Sequence, residues 1–273
     1  MKKIGLCLSG GGGKGAYQIG AAKALEDLGL YQQITAFSGT SIGAANAAIL
    51  VSSTIENAKQ VWYNIPDNAI KPETTLRRRF LNERFKLLKN GIYSMDMFDE
   101  KMTEQLNDSK ISQSKLFITI SEVGDESKGV FELFKSSYKH FRKKDNFVHY
   151  IALHNCDPAI RLDVVKASCS IPIVFSPVTI HNMHYYDGGL FDSIPVLPLV
   201  EEGCKEIYVI DIASIKQKID FYTTYPDVTF HIITPSTPLE GVLDFSLEHA
   251  KAMYQQGYHD TMQQLTNKDH LSN

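Results

Sequence analysis

The chain has 273 residues, of which 43% are hydrophobic and 22% charged, and its formal net charge is -3. This length can bury a sizeable core, and we expect one domain over residues 1–273. The near-neutral charge argues against a strongly basic nucleic-acid-binding protein, so no nucleic-acid partner is expected.

No segment predicts export or membrane insertion. The apolar run after Lys2 and Lys3 is too short for a signal peptide, and no run is long enough to span a bilayer. We therefore expect a cytoplasmic protein. The cysteines are far apart and form no CxxC pair, which favours buried free thiols over a disulfide framework or a zinc site. They are Cys7, Cys156, Cys169 and Cys204.

Two strand-turn-helix units are predicted within the first fifty residues. Residues 3–9 form a short apolar run, and residues 16–28 carry apolar side chains at helical spacing. Residues 34–38 indicate a second strand, which the helix-prone AANAAILV follows. The repeated unit predicts a parallel sheet with helices on its faces.

The later elements are more varied. We predict a mostly helical insertion or lid at about residues 52–113, four further strands and a closing helix. The strands are predicted at residues 116–123, 130–134, 207–212 and 229–233, and the helix at residues 243–265.

A lone serine lies between two glycines in the stretch GTSIG, directly after the second predicted strand. Gly-x-Ser-x-Gly between a strand and a helix is the pattern of a nucleophile elbow, in which Ser41 occupies a tight turn. Gly39 and Gly43 would let neighbouring backbone come close. The helix start would favour negative charge developing near the hydroxyl. The alternative is an ordinary serine N-cap in a glycine turn.

The stretch SGGGGKG, residues 9–15, also lies between a strand and a helix. It is not a Walker phosphate loop, because Gly15 follows Lys14 where Ser or Thr is needed. The dinucleotide pattern GxGxxG is formally present, but no acidic residue ends the second strand. We prefer an oxyanion hole for Ser41, built from backbone N–H groups, because this interpretation uses both glycine motifs.

In the stretch HYYDGGL, Asp187 follows a mainly apolar segment and precedes a turn that begins with two glycines. The carboxylate could act as the base for Ser41. The alternative is an Asx-type turn with a solvated carboxylate.

These motifs together resemble the patatin-like phospholipase family of bacterial and plant lipid acyl hydrolases. The matching stretches are LSGGGGKGAYQIG, GTSIGAANAA and YYDGGLFDSIPV, the last preceded by ASCSIPIVFSPV. The likeness spans roughly residues 4–212, and three motifs in order are more specific than any one alone. Ser170 and Ser193 stand where alanine and asparagine are common in the family.

The resemblance implies a three-layer α/β/α fold with a mainly parallel central sheet. It implies a serine acyl hydrolase that cleaves phospholipid or lysophospholipid esters through an acyl-enzyme, with no metal or organic cofactor. The catalytic dyad would be Ser41 and Asp187, at the carboxyl ends of neighbouring strands. The oxyanion hole would comprise Gly10, Gly11, Gly12 and Gly13, and the supporting motif residues would be Lys14, Gly15, Gly39, Gly43, Gly188 and Gly189.

Two rival interpretations remain open at this level. A Ser-His-Asp triad would draw on a histidine that follows Asp187 in the chain, namely His231, His249 or His259. None of them borders a marked loop, and we expect His231, like His181 and His184, to lie on a strand face. The second rival is a nucleotide-binding oxidoreductase or regulatory module that uses the glycine-rich loop on a phosphate.

One segment indicates a way to reach lipid. Drawn as a helix, residues 76–89 place basic side chains on one arc and apolar side chains on the other. Such a helix could lie on an anionic membrane surface, making the protein peripheral to the membrane, or it could be a lid with a solvated basic face.

Overall fold

The computed structural model describes residues 2–66, 95–123, 147–172, 174–213 and 221–266. In these ranges the chain forms an α/β fold around one sheet. Its strands are β1 (Ile4–Leu8), β2 (Ala36–Thr40), β3 (Leu116–Val123), β4 (Val148–Ala152), β5 (Val178–Ile180), β6 (Met183–Asp187), β7 (Glu206–Ile210) and β8 (Thr229–Ile233).

Helices cover both faces of this sheet. They are α1 (Ala16–Asp27), α2 (Ile42–Ser52), α3 (Ile55–Tyr63), α4 (Asp96–Gln105), α5 (Asp108–Gln113), α6 (Pro158–Cys169), α7 (Leu197–Glu201), α8 (Phe221–Thr224) and α9 (Leu247–Thr266). None of the helices in the described ranges is long and apolar enough to cross a membrane.

The sheet is parallel through its centre and antiparallel at one side. Hydrogen-bonded neighbours follow the order β5-β6-β3-β2-β1-β7-β8, and β4 also pairs with β3. The pairs formed by β1, β2, β7 and β8 and the β2–β3 pair are parallel, whereas β4, β5 and β6 run antiparallel to their partners. The mainly parallel central sheet predicted from the repeated unit is therefore confirmed.

Alternation along the central strands divides the core into two layers. Leu6 and Leu8 of β1 pack on the face covered by α1, α2, α3, α6 and α9. Cys7, between them, packs on the opposite face with Leu199 of α7 and Phe221 of α8. The resulting three-layer α/β/α arrangement is the expected one.

Several element boundaries differ from the sequence-based prediction by one or more residues, and two of these differences bear on the site. The second strand extends through Gly39 and Thr40, so it ends directly at Ser41. The last helix begins at Leu247 rather than Leu243, because residues 241–246 form turns instead. The predicted strand at residues 130–134 and the amphipathic segment at residues 76–89 lie outside the described residues. The described parts of the predicted insertion at about residues 52–113 contain the helices α3, α4 and α5.

The cysteines are free, and Cys7, Cys169 and Cys204 are buried, as predicted. Cys156 is only partly buried, because it follows the short turn after β4 near the protein surface.

The topology brings the carboxyl ends of two strands, β2 and β6, together along one edge of β3. Thr40, the last residue of β2, pairs with Thr119, and Asp187, the last residue of β6, pairs with Ile120. Since β4 occupies the other edge of β3, β2 and β6 run toward each other along the same edge. The prediction that Ser41 and Asp187 follow two neighbouring, paired strands was wrong. The two strands do not pair with each other, and they meet end to end because β6 is antiparallel to β3.

Candidate active site

Ser41 lies at the junction of β2 and α2 in a backbone conformation that L-residues rarely adopt. Its φ is 58° and its ψ is -131°, and its side chain makes no capping hydrogen bond to α2. A conformation of this kind costs about 1 to 3 kcal/mol and persists only where the surroundings impose it. Ser41 is therefore held as in a nucleophile elbow rather than as an ordinary N-cap.

The flanking glycines explain how the turn is made so tight. A Cβ atom on Gly39 would lie 2.3 Å from the carbonyl oxygen of Gly43. A Cβ atom on Gly43 would lie 2.2 Å from the carbonyl oxygen of Leu8. Both distances are far below contact, so only glycine permits β1, β2 and α2 to come this close.

Hydrogen bonds from a neighbouring helix hold the serine backbone. The N–H of Ser41 donates to Ser168 Oγ at 2.9 Å, and that hydroxyl donates to the carbonyl of Thr119 at 2.7 Å. The thiol of Cys169 donates to the carbonyl of Ser41 at 3.1 Å. Sequence reasoning did not find these α6 contacts, although Ser168 and Cys169 lie within the quoted stretch ASCSIPIVFSPV.

Asp187 is buried, and its carboxylate lies close enough to the Ser41 hydroxyl for that group to lower the pKa of Asp187. The N–H of Gly189 donates to Asp187 Oδ1 at 2.7 Å, and Gly188 packs against the Thr119 carbonyl. Burial raises the pKa of Asp187 to about 7, and the hydrogen bonds from Ser41 and Gly189 only partly offset this rise. The carboxylate is thus a base poised near neutral pH.

The glycine-rich loop approaches the same serine from β1. A Cβ atom on Gly10 would lie 3.3 Å from the Ser41 Cβ. The Gly10 N–H donates to the carbonyl of Ser193 at 3.1 Å, and the Gly13 N–H donates to the carbonyl of Val242 at 2.7 Å. Those two N–H groups already have acceptors.

The other two glycines of the loop differ in this respect. Within the described part of the chain, the N–H groups of Gly11 and Gly12 have no hydrogen-bond acceptor. Gly12 lines the same cavity as Ser41. Among the four glycines expected to form the oxyanion hole, Gly11 and Gly12 are therefore the two whose N–H groups remain available to an anion in the described part of the chain.

Lys14 turns inward and fastens the glycine loop to the end of β7. The side chain is buried, and Nζ donates to the carbonyl of Ile212 at 2.6 Å. Burial lowers the pKa of Lys14, while nearby Asp211 opposes that effect. Because its ammonium group is directed into the protein, Lys14 does not present a cation for a nucleotide phosphate.

A buried polar network ties the loop to α2 and α3. Asn46 donates through Nδ2 to the carbonyl of Gly15 at 2.9 Å and to Gln18 Oε1 at 2.8 Å. Gln18 donates to the carbonyl of Ser9 at 2.7 Å, and Trp62 Nε1 donates to Asn46 Oδ1 at 2.9 Å. Sequence reasoning assigned no role to Asn46, although an asparagine within an alanine-rich helix was a signal for one.

An almost wholly apolar cavity opens beside Ser41. Its walls come from α2, α3, α4, the segment after α6 and the turn before α9. The large apolar side chains in these walls include those of Ile49, Trp62, Phe98, Met102, Phe175 and Phe245. Lys101 of α4 is the one charged side chain among the described residues of the lining. A cavity of this composition suits an alkyl chain.

The described histidines do not supply a triad. His231 lies on β8, stacks on Tyr208 and contacts Glu206 at 2.8 Å, as expected for a sheet-face residue. His184 lies on β6 beside Thr179, whereas His181 lies in the β5–β6 turn rather than on a strand. None of the described histidines lines the cavity that contains Ser41.

A strained serine at a strand-helix junction, a buried aspartate and a glycine loop on a three-layer fold are typical of serine acyl hydrolases. The model of the patatin-like phospholipase family matches residues 6–200. The chain belongs to this family.

Relatives with curated names are distant. Lysophospholipase NTE1 of Cryptococcus neoformans var. neoformans serotype D is 23% identical over 221 residues, which are 78% of this chain and 11% of the fungal protein. The uncharacterized protein YjjU of Escherichia coli K12 is 27% identical over 211 residues, which are 76% of this chain and 51% of YjjU. The chain thus spans about a tenth of the fungal lysophospholipase.

Solved structures share the fold at low identity. VipD from Legionella pneumophila superposes with a TM-score of 0.52 at 13% identity, over 97% of this chain and 67% of VipD. Human GIVD cytosolic phospholipase A2 has a TM-score of 0.52 at 10% identity, over 97% of this chain and 59% of the human chain. At these identities the likeness establishes the fold alone.

Proposed function

We propose that the protein hydrolyses ester bonds of phospholipids or lysophospholipids through a Ser41–Asp187 dyad and an acyl-enzyme. The observation that carries this proposal is the proximity of the buried Asp187 carboxylate to Ser41, whose side chain lines an apolar cavity. Family membership and the lysophospholipase relatives support lipid as the substrate class. Lys101 in the lining is suited to a lipid phosphate.

The proposed reaction begins when the ionised Asp187 takes the proton of Ser41 as the serine oxygen attacks the ester carbonyl. The N–H groups of Gly11 and Gly12 stabilise the oxyanion, and the start of α2 contributes its positive dipole end. Asp187 then returns the proton to the departing alcohol. Asp187 next takes a proton from water as the water oxygen attacks the acyl carbon. It passes this proton to the Ser41 oxygen as the acyl-serine bond breaks, which releases the fatty acid.

The direct test is fatty-acid release from lysophosphatidylcholine and phosphatidylcholine, with a non-lipid acyl ester for comparison. The proposal expects hydrolysis of at least one of the two phospholipids at a higher kcat/KM than the simple ester. Hydrolysis of the simple ester alone would contradict a phospholipid substrate while leaving the dyad intact.

The pH dependence of kcat/KM follows from the state of Asp187. The base must be ionised, and its pKa is about 7, so activity should rise with pH through this value and level off above it. Between pH 9 and pH 5 we expect a fall of about 100-fold, measured with lysophosphatidylcholine. Circular dichroism at each pH controls for folding. A flat profile would contradict Asp187 as the base.

Substitution of Gly12 tests the oxyanion loop. Gly12 has a φ of +61°, and a Cβ atom there would lie 2.2 Å from the carbonyl oxygen of Val242, so Gly12→Ala must displace the loop. We expect kcat to fall by about 100-fold, the usual effect of losing an oxyanion donor. The matched control is Gly29→Ala, because Gly29 has a φ of +70° with no atom within 4 Å of the added Cβ.

Both alanine variants should lose roughly 1 kcal/mol of stability from the positive φ, and Gly12→Ala should lose more because its Cβ atom meets the Val242 carbonyl. Only Gly12→Ala should lose activity. Equal kcat values in the two variants would remove Gly12 from the oxyanion hole.

A further inference from the structure

The cavity mouth carries an exposed apolar turn that the proposed chemistry does not use. The N–H of Asp244 donates to the carbonyl of Gly241 at 2.9 Å, which closes a four-residue turn with Val242 and Leu243 at its tip. Val242 is 40% and Leu243 46% exposed, and Leu247, at the start of α9, is 36% exposed. We call residues 241–247 the rim segment.

Large apolar residues at the tip of an exposed turn need an explanation, since Gly, Asn, Asp, Ser and Pro dominate such positions. Among the described residues, five large hydrophobic side chains are exposed, and three of them lie in the rim segment. Clustered exposure of this kind marks an interaction surface, whereas scattered apolar residues do not.

The rim segment is continuous with the candidate active site. Val242 and Leu243 line the cavity that contains Ser41 and are also exposed, so they lie where the cavity meets solvent. The carbonyl of Val242 accepts the N–H of Gly13 in the glycine loop. Phe245 stacks on Trp62 with ring centroids 5.9 Å apart, which anchors the segment from below. A surface that contacts this rim would therefore face the entrance to Ser41.

The charges around the rim define the kind of surface that fits. Glu240, Asp244 and Glu248 are exposed, and the rim segment itself contains no lysine or arginine. The nearby cations Lys101 of the cavity lining and Lys251 of α9 are engaged by Glu104 and by the ring of Tyr63, respectively. An anionic membrane would be repelled by these carboxylates. A zwitterionic surface would meet the apolar tip without that penalty.

We infer that the rim segment docks the protein on zwitterionic phospholipid surfaces by inserting Val242, Leu243 and Leu247 among the lipids. The inference rests on the proposed function for the orientation of the cavity toward lipid. It concerns residues beyond the 6–200 range that the family model matches. It also assigns membrane contact to a different part of the chain from the basic segment at residues 76–89.

The test is flotation with phosphatidylcholine vesicles in a Ser41→Ala background, so that hydrolysis does not alter the vesicles. Leu243→Ser with Leu247→Ser should weaken vesicle binding by about tenfold for each leucine. Met183→Ser is the matched control, because Met183 is 42% exposed on the β5–β6 hairpin and lies outside the cavity lining. This control should bind within twofold of the parent.

Several outcomes would overturn the inference. These are equal loss of binding in Met183→Ser, no loss in the double leucine variant, or tighter binding when phosphatidylglycerol is added. A dimer in sedimentation analysis that the leucine substitutions dissociate would make the rim a protein interface instead. Fluorophosphonate labelling of the unsubstituted protein reports separately on the dyad, so failure of docking and failure of the proposed function are distinguishable.

Discussion

Ser41→Ala is expected to abolish hydrolysis of phospholipid and lysophospholipid, with kcat/KM reduced by at least about 1,000-fold. The hydroxyl is the proposed nucleophile, and no other described serine combines a buried carboxylate partner with the cavity. A fluorophosphonate probe should add one label to the native protein and none to the variant, as measured by intact mass. Ser53→Ala, at the far end of α2, is the control and should retain both activity and labelling. Labelling of Ser41→Ala would place the nucleophile elsewhere.

A companion variant separates the chemistry of Ser41 from its backbone strain. Ser41→Gly also loses the hydroxyl, but glycine accepts a φ of 58° without a Cβ penalty. We expect the free energy of unfolding of Ser41→Gly to be roughly 1 kcal/mol larger than that of Ser41→Ala, so the glycine variant is the more stable one. Urea denaturation measures both values. Equal stabilities would mean that the surroundings do not impose the strained turn.

The sequence predicted the parts of the site that depend on local chain geometry. A strand followed by GTSIG and a helix has few arrangements, and the close contacts of Gly39 and Gly43 are those that the motif requires. The repeated strand-turn-helix unit likewise predicted the parallel centre of the sheet. Short, strongly patterned stretches were enough for both.

The parts that sequence reasoning missed depend on partners far along the chain. The four glycines look equivalent in GGGGKG. In the structure, however, the N–H groups of Gly10 and Gly13 donate to the carbonyls of Ser193 and Val242, whereas those of Gly11 and Gly12 do not. The end-to-end meeting of β2 and β6 depends on β6 running antiparallel to β3, which no local pattern encodes. The apolar residues of the rim segment matched helical spacing, although they form a turn over the glycine loop.

Asp187→Asn is expected to inactivate the enzyme and to stabilise the fold at alkaline pH. Loss of the proposed general base should lower kcat/KM by about 100-fold or more and slow fluorophosphonate labelling. The stability effect has a separate cause, the burial that raises the Asp187 pKa from 3.8 to about 7. A neutral asparagine still accepts the Gly189 N–H and avoids the cost of a buried charge.

The sign of the pH effect follows from proton binding. Between about pH 4 and pH 7 the folded protein keeps the Asp187 proton while the unfolded chain releases it, so the folded state binds more protons and loses stability as pH rises. Asparagine has no such dependence. The free energy of unfolding of the variant minus that of the native protein should therefore be about 2 to 3 kcal/mol larger at pH 8 than at pH 5.

Urea denaturation of both proteins at pH 5 and pH 8 measures this difference. The control is Asp27→Asn on α1, where an exposed carboxylate pairs with Lys23 and has a lowered pKa, so any change should be small and of opposite sign. An Asp187→Asn variant that is less stable than the native protein at pH 8 would show that the carboxylate supports the fold. A more stable but inactive variant would mean that the buried base is maintained for catalysis at the expense of stability, as expected where a general base must titrate near neutral pH.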